Sequence, residues 1–152
     1  MADTPQFDGL QTTPDERTMA TLAHALQMIG SWIAPLIIFL IRRESRFVAF
    51  HALQVLLLQI LHVLVVMLFV GGFFITMIFY VMPNGAHQPA EFPWPVFVLF
   101  PLIWIAFAVL SIGTLAIAII YSIKAGRGEW ADYPVLGKLA RKILKMGPRP
   151  LP

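Results

Sequence analysis

The chain of 152 residues is 59% hydrophobic and only 12% charged, and its mean hydropathy is +0.78. Soluble domains carry about 25% charged residues, so this chain has too little polar surface to cover a water-soluble globule of its size. Disulfides, thiol catalysis and cysteine-ligated metals are excluded because there is no cysteine. We therefore predict an integral membrane protein. Its net charge of +3 lies mostly beside apolar runs, which favours anionic lipid headgroups over nucleic acid as a partner.

The first predicted element is a helix that follows an acidic tail. Residues 1–12 are polar, and we expect them to be disordered. The next residues are typical of a helix start, with Thr13 as a cap, Pro14 in the first helical position and Glu16 completing a capping box. An apolar stretch follows that is long enough to cross a membrane. We expect a first span over about residues 20–42, with a kink at Pro35.

Two longer apolar runs follow. A helix over residues 47–82 would be roughly 54 Å long, which exceeds a hydrocarbon core of ~30 Å. Such a run forms either one long helix or two segments broken at Gly71-Gly72. We favour the single helix, because a lipid-exposed break would leave backbone groups without partners. After a proline-rich loop at residues 82–95 the third run begins, and the prediction is an all-α transmembrane domain at residues 13–125 with spans at about 20–42, 50–80 and 96–123.

A basic amphipathic pattern occupies residues 132–146. Apolar residues fall on one side of a helical wheel, and four basic residues fall on the other: Lys138, Arg141, Lys142 and Lys145. Such a helix directly after a span is typical of the membrane surface, so we expect these four side chains to contact lipid headgroups. A calmodulin-like target or a nucleic-acid helix is the alternative. Residues 147–152 form a tail, since Gly147-Pro148 stops the helix.

The distribution of charge predicts the topology. Arg42, Arg43 and Arg46 lie between the first and second predicted spans, and further Lys and Arg residues follow the third. The loop between the second and third spans has none. The positive-inside rule therefore makes the three arginines a cytoplasmic anchor and places the C-terminus in the cytoplasm. With three spans, the N-terminus is expected outside.

Several polar residues interrupt the predicted spans. We expect them to form polar contacts between helices, since an unpaired polar group in hydrocarbon is costly: His24, Gln27, His51, Gln54, Gln59 and His62. His24 and His62 lie 20 residues before and 18 residues after a turn centred near Glu44, so their imidazoles are expected at similar depth. A hydrogen-bonded contact is the favoured interpretation. Bis-histidine haem ligation and a shared metal or proton site are the alternatives.

No motif of a catalytic site is present. The apolar runs hold no carboxylate, and the sequence has no nucleotide-binding glycine loop, nucleophile elbow or HExxH. We predict that the protein is not an enzyme.

Two stretches carry a family resemblance. Residues 51–59, HALQVLLLQ, resemble the signature HAxEALxxQ, and residues 123–134, IKAGRGEWADYP, resemble the pattern IKAxxGExxxYP. Both patterns belong to a group of small bacterial membrane proteins of unknown function, distantly related to the Tic-twenty subunit of the chloroplast inner-envelope translocon. The resemblance implies an all-helical, multi-pass protein of the bacterial inner membrane. Gln54 and Leu57 depart from the pattern, which often has an acidic residue and an asparagine there, and this removes the one carboxylate the helix would have.

The function expected from these features is that of an accessory or structural subunit. It would pack in, or organise, a larger inner-membrane complex. An oligomeric transport or protein-translocation component is the first alternative, and a bis-histidine haem-binding subunit, with His24 and His62 as ligands, is the second. The expected partners are a bilayer with anionic lipids and other membrane subunits, with no nucleic acid, no soluble substrate and no cofactor other than that haem.

Overall fold

The computed structural model describes residues 12–30, 32–81 and 94–146. These residues form five α-helices and no strand: α1 (Pro14–Gly30), α2 (Ile33–Ile41), α3 (Arg46–Val81), α4 (Trp94–Gly126) and α5 (Leu136–Ile143). The predicted all-α class is confirmed. The predictions for most of the acidic tail, for most of the proline-rich loop and for the C-terminal tail concern residues outside these ranges.

The start of α1 is held by the predicted capping box. The backbone N–H of Thr13 donates to the Glu16 carboxylate at 2.8 Å, and the backbone N–H of Glu16 donates to the Thr13 hydroxyl at 3.2 Å. Pro14 is the first residue of the helix, where its missing N–H removes no intrahelical hydrogen bond. The capping box is therefore confirmed. Glu16 also accepts a hydrogen bond from the Ser45 hydroxyl at 2.6 Å, which connects the start of α1 to the turn before α3.

Acid should weaken this connection. Hydrogen bonds from the Ser45 hydroxyl and from the Thr13 backbone N–H lower the pKa of Glu16 below its usual value of 4.5. A carboxyl whose pKa is lower in the folded state stabilises the fold fully above its unfolded pKa, and that contribution is lost as the pH falls through the folded pKa. At pH 7 we expect Glu16→Gln to lower the free energy of unfolding by about 1 kcal/mol, and we expect this difference to shrink at pH 3.

Titration with SDS in mixed micelles at the two pH values measures that difference. Glu44→Gln is the matched control, because Glu44 is an exposed carboxylate in the neighbouring turn. A wild-type advantage over Glu16→Gln that is the same at both pH values would contradict the prediction.

The predicted first span is divided into two helices. Pro35 lies in the first turn of α2, where a proline is tolerated, whereas in a continuous helix its ring would clash with the carbonyl four residues earlier. α1 and α2 contact each other, and Arg42 forms an ion pair at 2.9 Å with Asp15. The end of α2 therefore lies beside the start of α1. Helices α1 and α2 form an antiparallel pair, which we call the α1–α2 hairpin.

Two of the described helices are long and apolar enough to cross a membrane. They are Arg46–Phe79 in α3 and Val96–Gly126 in α4, each with a mean hydropathy of 2.6. α3 is continuous through Gly71 and Gly72, so the preference for one long helix is confirmed. Three spans are not confirmed, because the α1–α2 hairpin returns to the end at which it starts.

The chain divides into two compact units. The first comprises residues 1–59 and 116–152, and the second comprises residues 60–115. In the first unit, Trp130 packs against two small clusters of buried side chains, one around Phe47 and the other around Phe50. In the second unit none of the residues whose burial is described is buried, and large apolar side chains are open to the surroundings, as expected for helices that face lipid.

Candidate functional site

A network of buried polar side chains lies inside the first unit. It joins α1, the first four turns of α3, the end of α4 and the segment of residues 127–135. Ala20 and Ala23 are fully buried on α1, and their small side chains let α1 approach its neighbours closely. The same face of α1 carries His24 and Gln27, because residues three and four apart share one side of a helix. Both polar side chains are therefore directed into the interior.

A chain of hydrogen bonds runs through the two buried histidines. His24 Nδ1 lies 2.9 Å from the Tyr133 hydroxyl, and His24 Nε2 lies 3.0 Å from His51 Nδ1. At the far end His51 Nε2 lies 3.1 Å from the backbone carbonyl of Glu129. Both imidazoles are fully buried. The chain thus links α1 and α3 to the segment that follows α4.

The acceptor at the end of this chain determines the tautomers of the neutral imidazoles. A carbonyl only accepts, so His51 Nε2 carries the hydrogen and His51 Nδ1 accepts from His24 Nε2–H. His24 Nδ1 then accepts from the hydroxyl of Tyr133. Burial raises the pKa of the Tyr133 phenol, which keeps that donor protonated. Because a backbone carbonyl takes up no proton, this geometry suits a structural connection better than a proton relay.

Gln54 makes a second connection to the same segment. Its side-chain N–H donates to the Ala131 carbonyl at 3.2 Å, and its carbonyl accepts from the backbone N–H of Tyr133 at 2.6 Å. One amide therefore pairs both a donor and an acceptor of an irregular backbone, as a strand neighbour would. The two sequence stretches that carry the family resemblance, residues 51–59 and 123–134, meet at this point.

Gln27 and Gln59 form a polar contact between α1 and α3. The Gln59 amide N–H donates to the Gln27 carbonyl at 3.2 Å, and both side chains are buried. The amide nitrogen of Gln27 has no acceptor among the described residues. This pair is therefore the less completely hydrogen-bonded part of the network.

His62 does not take part in the network. Its Nδ1 lies 3.3 Å from the hydroxyl of Thr114 on α4, whereas His24 pairs with His51. Both ring nitrogens of His24 already have partners, so in this arrangement neither is available to haem iron. No cluster of three or more potential metal-ligating side chains occurs in the parts of the chain that the structure describes.

Arg141 departs from its expected role at the membrane surface. Its guanidinium donates to both carboxylate oxygens of Asp132, at 2.8 and 3.3 Å, and lies 4.6 Å from the centre of the Phe50 ring. Arg141 is buried. A guanidinium tolerates such a site because it is planar, pairs with a carboxylate through two hydrogen bonds and stacks on an aromatic ring. This removes Arg141 from the expected headgroup contacts. The other three basic residues of the tail are exposed: Lys138, Lys142 and Lys145.

The predicted C-terminal helix is shorter than expected. Helix α5 has eight residues, Leu136–Ile143, whereas the pattern predicted residues 132–146. Asp132 and Tyr133 precede the helix and serve the network instead. Tyr121 on α4 also contributes, since its hydroxyl donates to the Asp132 carbonyl at 2.8 Å. The sequence predicted no hydrogen bond of this network for these three residues, and the one signal for such a contact was the Tyr133-Pro134 pair in the family pattern.

The start of α1 lies at the same end of the first unit as the end of α4. The Ser122 hydroxyl donates to the Thr21 carbonyl at 3.0 Å. Gly128 has a φ of +78°, and a Cβ there would lie 2.5 Å from the Thr12 hydroxyl, so only glycine permits this close approach. The start of α1 and the end of α4 therefore lie close together, whereas three spans would have separated them.

The predicted anchor residues lie in the turn before α3. Arg42, Arg43 and Arg46 are all exposed, and Arg42 pairs with Asp15 across the open end of the hairpin. This basic turn is at the same end of the unit as the network's loop segment.

These features define a small, all-helical membrane protein with two candidate spans and a polar network at one end of them. A sequence profile of the magnetosome magnetite crystal formation protein family (MamF/MmsF) matches residues 15–140. The chain therefore belongs to that family. No curated protein and no solved structure matches it. The distant relation to the Tic-twenty subunit stays a prediction.

Proposed function

We propose that this protein is an accessory membrane subunit in magnetite crystal formation. In this role it would pack in, or organise, a larger complex of the bacterial inner membrane or of the magnetosome membrane. The observation that carries the proposal is the family match over residues 15–140, which includes His24, His51, Gln54 and Tyr133 of the hydrogen-bonded network. The family description supplies the process, and the chain's own residues argue for an accessory role.

A structural role is favoured because the buried polar groups are hydrogen-bonded to one another and to the backbone. The hydrogen bonds of His24, His51 and Gln54 end on Tyr133 or on backbone groups. Such a network specifies one arrangement of helices and leaves little chemistry for a substrate. We therefore infer that the protein is not an enzyme.

The exposed charges support an orientation. The basic turn and the tail carry exposed Arg43, Arg46, Lys138, Lys142 and Lys145. The positive-inside rule favours the cytoplasmic side for such residues, and anionic headgroups there are their natural partners. In this proposal both described ends of the first unit face the cytoplasm.

Deletion of the gene in the bacterium that carries it tests the proposed process. We expect magnetite crystals whose size distribution differs from that of the parent in electron micrographs, with restoration by the wild-type chain. Complementation with His51→Leu should restore the crystals poorly, whereas His62→Leu is the matched control and should restore them. A deletion strain with an unchanged size distribution would contradict the role in crystal formation.

Purification from native membranes tests the accessory role. We expect the protein to migrate with a stoichiometric larger complex after mild detergent extraction. A homo-oligomer that carries ion flux in liposomes would favour the transport or translocation alternative instead.

A further inference from the structure

The α1–α2 hairpin carries an apolar surface around its closed end. The side chains there are large and open to the surroundings, with Ile29 89% exposed, Met28 55%, Ile33 52% and Trp32 48%. The outer side of α2 continues this surface with Ile37, Leu40 and Ile41. An exposed apolar patch of this kind marks contact with lipid or with another protein.

The open end of the hairpin is charged. Asp15 and Arg42 form an ion pair there, and Arg43 and Arg46 are exposed in the adjoining turn. The hairpin is therefore polarised along its length, with charge at one end and apolar side chains at the other. One leaflet of a membrane shows the same change in polarity, from charged headgroups to apolar acyl chains, over a similar distance.

The hairpin runs beside the beginning of a candidate span. His24 contacts His51, and Gln27 contacts Gln59, so the last turn of α1 begins level with Gln59 on α3. The candidate span of α3 begins at Arg46. The fourteen residues of α3 from Arg46 to Gln59 cover about 20 Å. The nine residues of α2 cover about 14 Å. Both lengths are less than the ~30 Å of a hydrocarbon core. The hairpin is too short to cross.

The start of α2, at the closed end of the hairpin, is suited to a position just below the lipid headgroups. The first N–H groups of a helix lack intrahelical partners and are costly to bury in lipid. Pro35 lies in the first turn of α2 and removes one of these donors. Leu36 N–H is satisfied by the Trp32 carbonyl at 3.1 Å, and a tryptophan is typical of the boundary between headgroups and acyl chains.

We propose that the α1–α2 hairpin is a re-entrant element. Its closed end lies among the acyl chains of the leaflet on the side of the basic turn, and its charged end remains at the headgroups. The hairpin thus attaches the polar network to one leaflet without crossing the membrane. The occupant of the apolar surface is lipid, and Arg43 and Arg46 favour anionic headgroups around it.

Single-cysteine labelling tests this topology, because the natural chain has no cysteine. The reagent is a membrane-impermeant maleimide applied to sealed membrane vesicles of one orientation. We expect Thr18→Cys and Lys138→Cys to be labelled from the same side, and Asn84→Cys, between the two candidate spans, from the opposite side. Labelling of Thr18→Cys and Lys138→Cys from opposite sides would establish a third crossing and overturn the proposal.

The closed end requires a second comparison. Ile29→Cys and Ile33→Cys should react about tenfold more slowly than Arg43→Cys from either side, because a charged reagent does not enter hydrocarbon. All three should react fully in detergent, which shows that the thiols are intact. Equal rates in vesicles would place the closed end in water and overturn the proposal.

Purified protein in liposomes distinguishes lipid from another protein as the occupant of the apolar surface. In liposomes that contain this full-length chain alone, Ile29→Cys should remain protected. Protection in native vesicles that disappears in such liposomes would mean that another protein covers the hairpin, and the proposal would fail. None of these results depends on the part played in crystal formation.

Discussion

Replacing His51 with leucine is expected to destabilise the first unit far more than the same replacement at His62. His51 Nδ1 accepts from His24, and His51 Nε2–H donates to the Glu129 carbonyl. Leucine can do neither, so the buried N–H of His24 and the partly buried carbonyl of Glu129 lose their partners together. An unsatisfied buried polar group costs about 1–3 kcal/mol, so we expect the free energy of unfolding to fall by roughly 2–5 kcal/mol.

His62 is the matched control on the same helix. Its bond to the Thr114 hydroxyl is long, at 3.3 Å, and that hydroxyl also donates to the Leu110 carbonyl at 2.9 Å. His62→Leu should therefore cost about 1 kcal/mol or less.

Titration with SDS in mixed micelles, followed by tryptophan fluorescence, measures both variants, since Trp130 packs near His51 against the same phenylalanines. Equal losses in the two variants would show that the histidine chain adds nothing to stability.

The polar residues of α3 illustrate how far the sequence alone reaches. The apolar surroundings of His51 and Gln54 in the sequence indicated that these polar groups seek partners inside the protein. These surroundings did not indicate the partners, because these are backbone groups of Glu129, Ala131 and Tyr133 in an irregular segment. A backbone carbonyl has no sequence signature, and its position depends on how the chain folds back after α4.

The residues that meet between α1 and α3 were also not predicted correctly from the sequence. Counting residues from a turn centred near Glu44 placed His24 opposite His62, because the first span was taken as one helix that continues past Pro35. The hairpin closes near Ile33, so α1 runs along the first turns of α3 and His24 meets His51. The capping box at Thr13 was predictable, since its bonds join residues only three apart.

The three-span prediction has the same origin. Composition measures whether a stretch is apolar, but it does not measure whether the stretch crosses. Pro35 was treated as a kink, whereas its position in the first turn of α2 accompanies a reversal of direction. This reversal brings the start of α1 beside the turn that carries Arg42, Arg43 and Arg46. The positive-inside argument for that turn is unaffected, and it now extends to the start of α1.

The buried position of Arg141 could not be predicted from the helical wheel. The wheel separated basic from apolar residues correctly, but it assumed that every basic residue faces water or headgroups. Asp132 lies nine residues earlier, outside the observed helix, and only the folded segment brings it to the guanidinium. Once this pair forms, α5 is attached to Asp132 and the Arg141 guanidinium lies over the Phe50 ring.

Removing the carboxylate of this pair is the second change with a large expected effect. Asp132→Asn keeps the size of the side chain but leaves a buried guanidinium without its counter-charge. Side-chain exposure is 11% for Arg141 and 21% for Asp132. Loss of one partner from a fully buried pair costs about 3–5 kcal/mol, and the partial exposure here reduces the expectation to about 2–4 kcal/mol.

A double-mutant cycle isolates the pair from its surroundings. Arg141→Met keeps an apolar stem against the Phe50 ring and leaves Asp132 able to reach water, so it should cost less than Asp132→Asn. The combination Asp132→Asn with Arg141→Met should be more stable than the sum of the single losses predicts, by about 1.5 kcal/mol or more. The control pair, Arg127 with Glu129, is separated by 4.0 Å at an exposed site, and its coupling should be below about 0.5 kcal/mol. Strict additivity at Asp132 and Arg141, measured by SDS titration, would mean that the two-bond pair does not hold α5 in place.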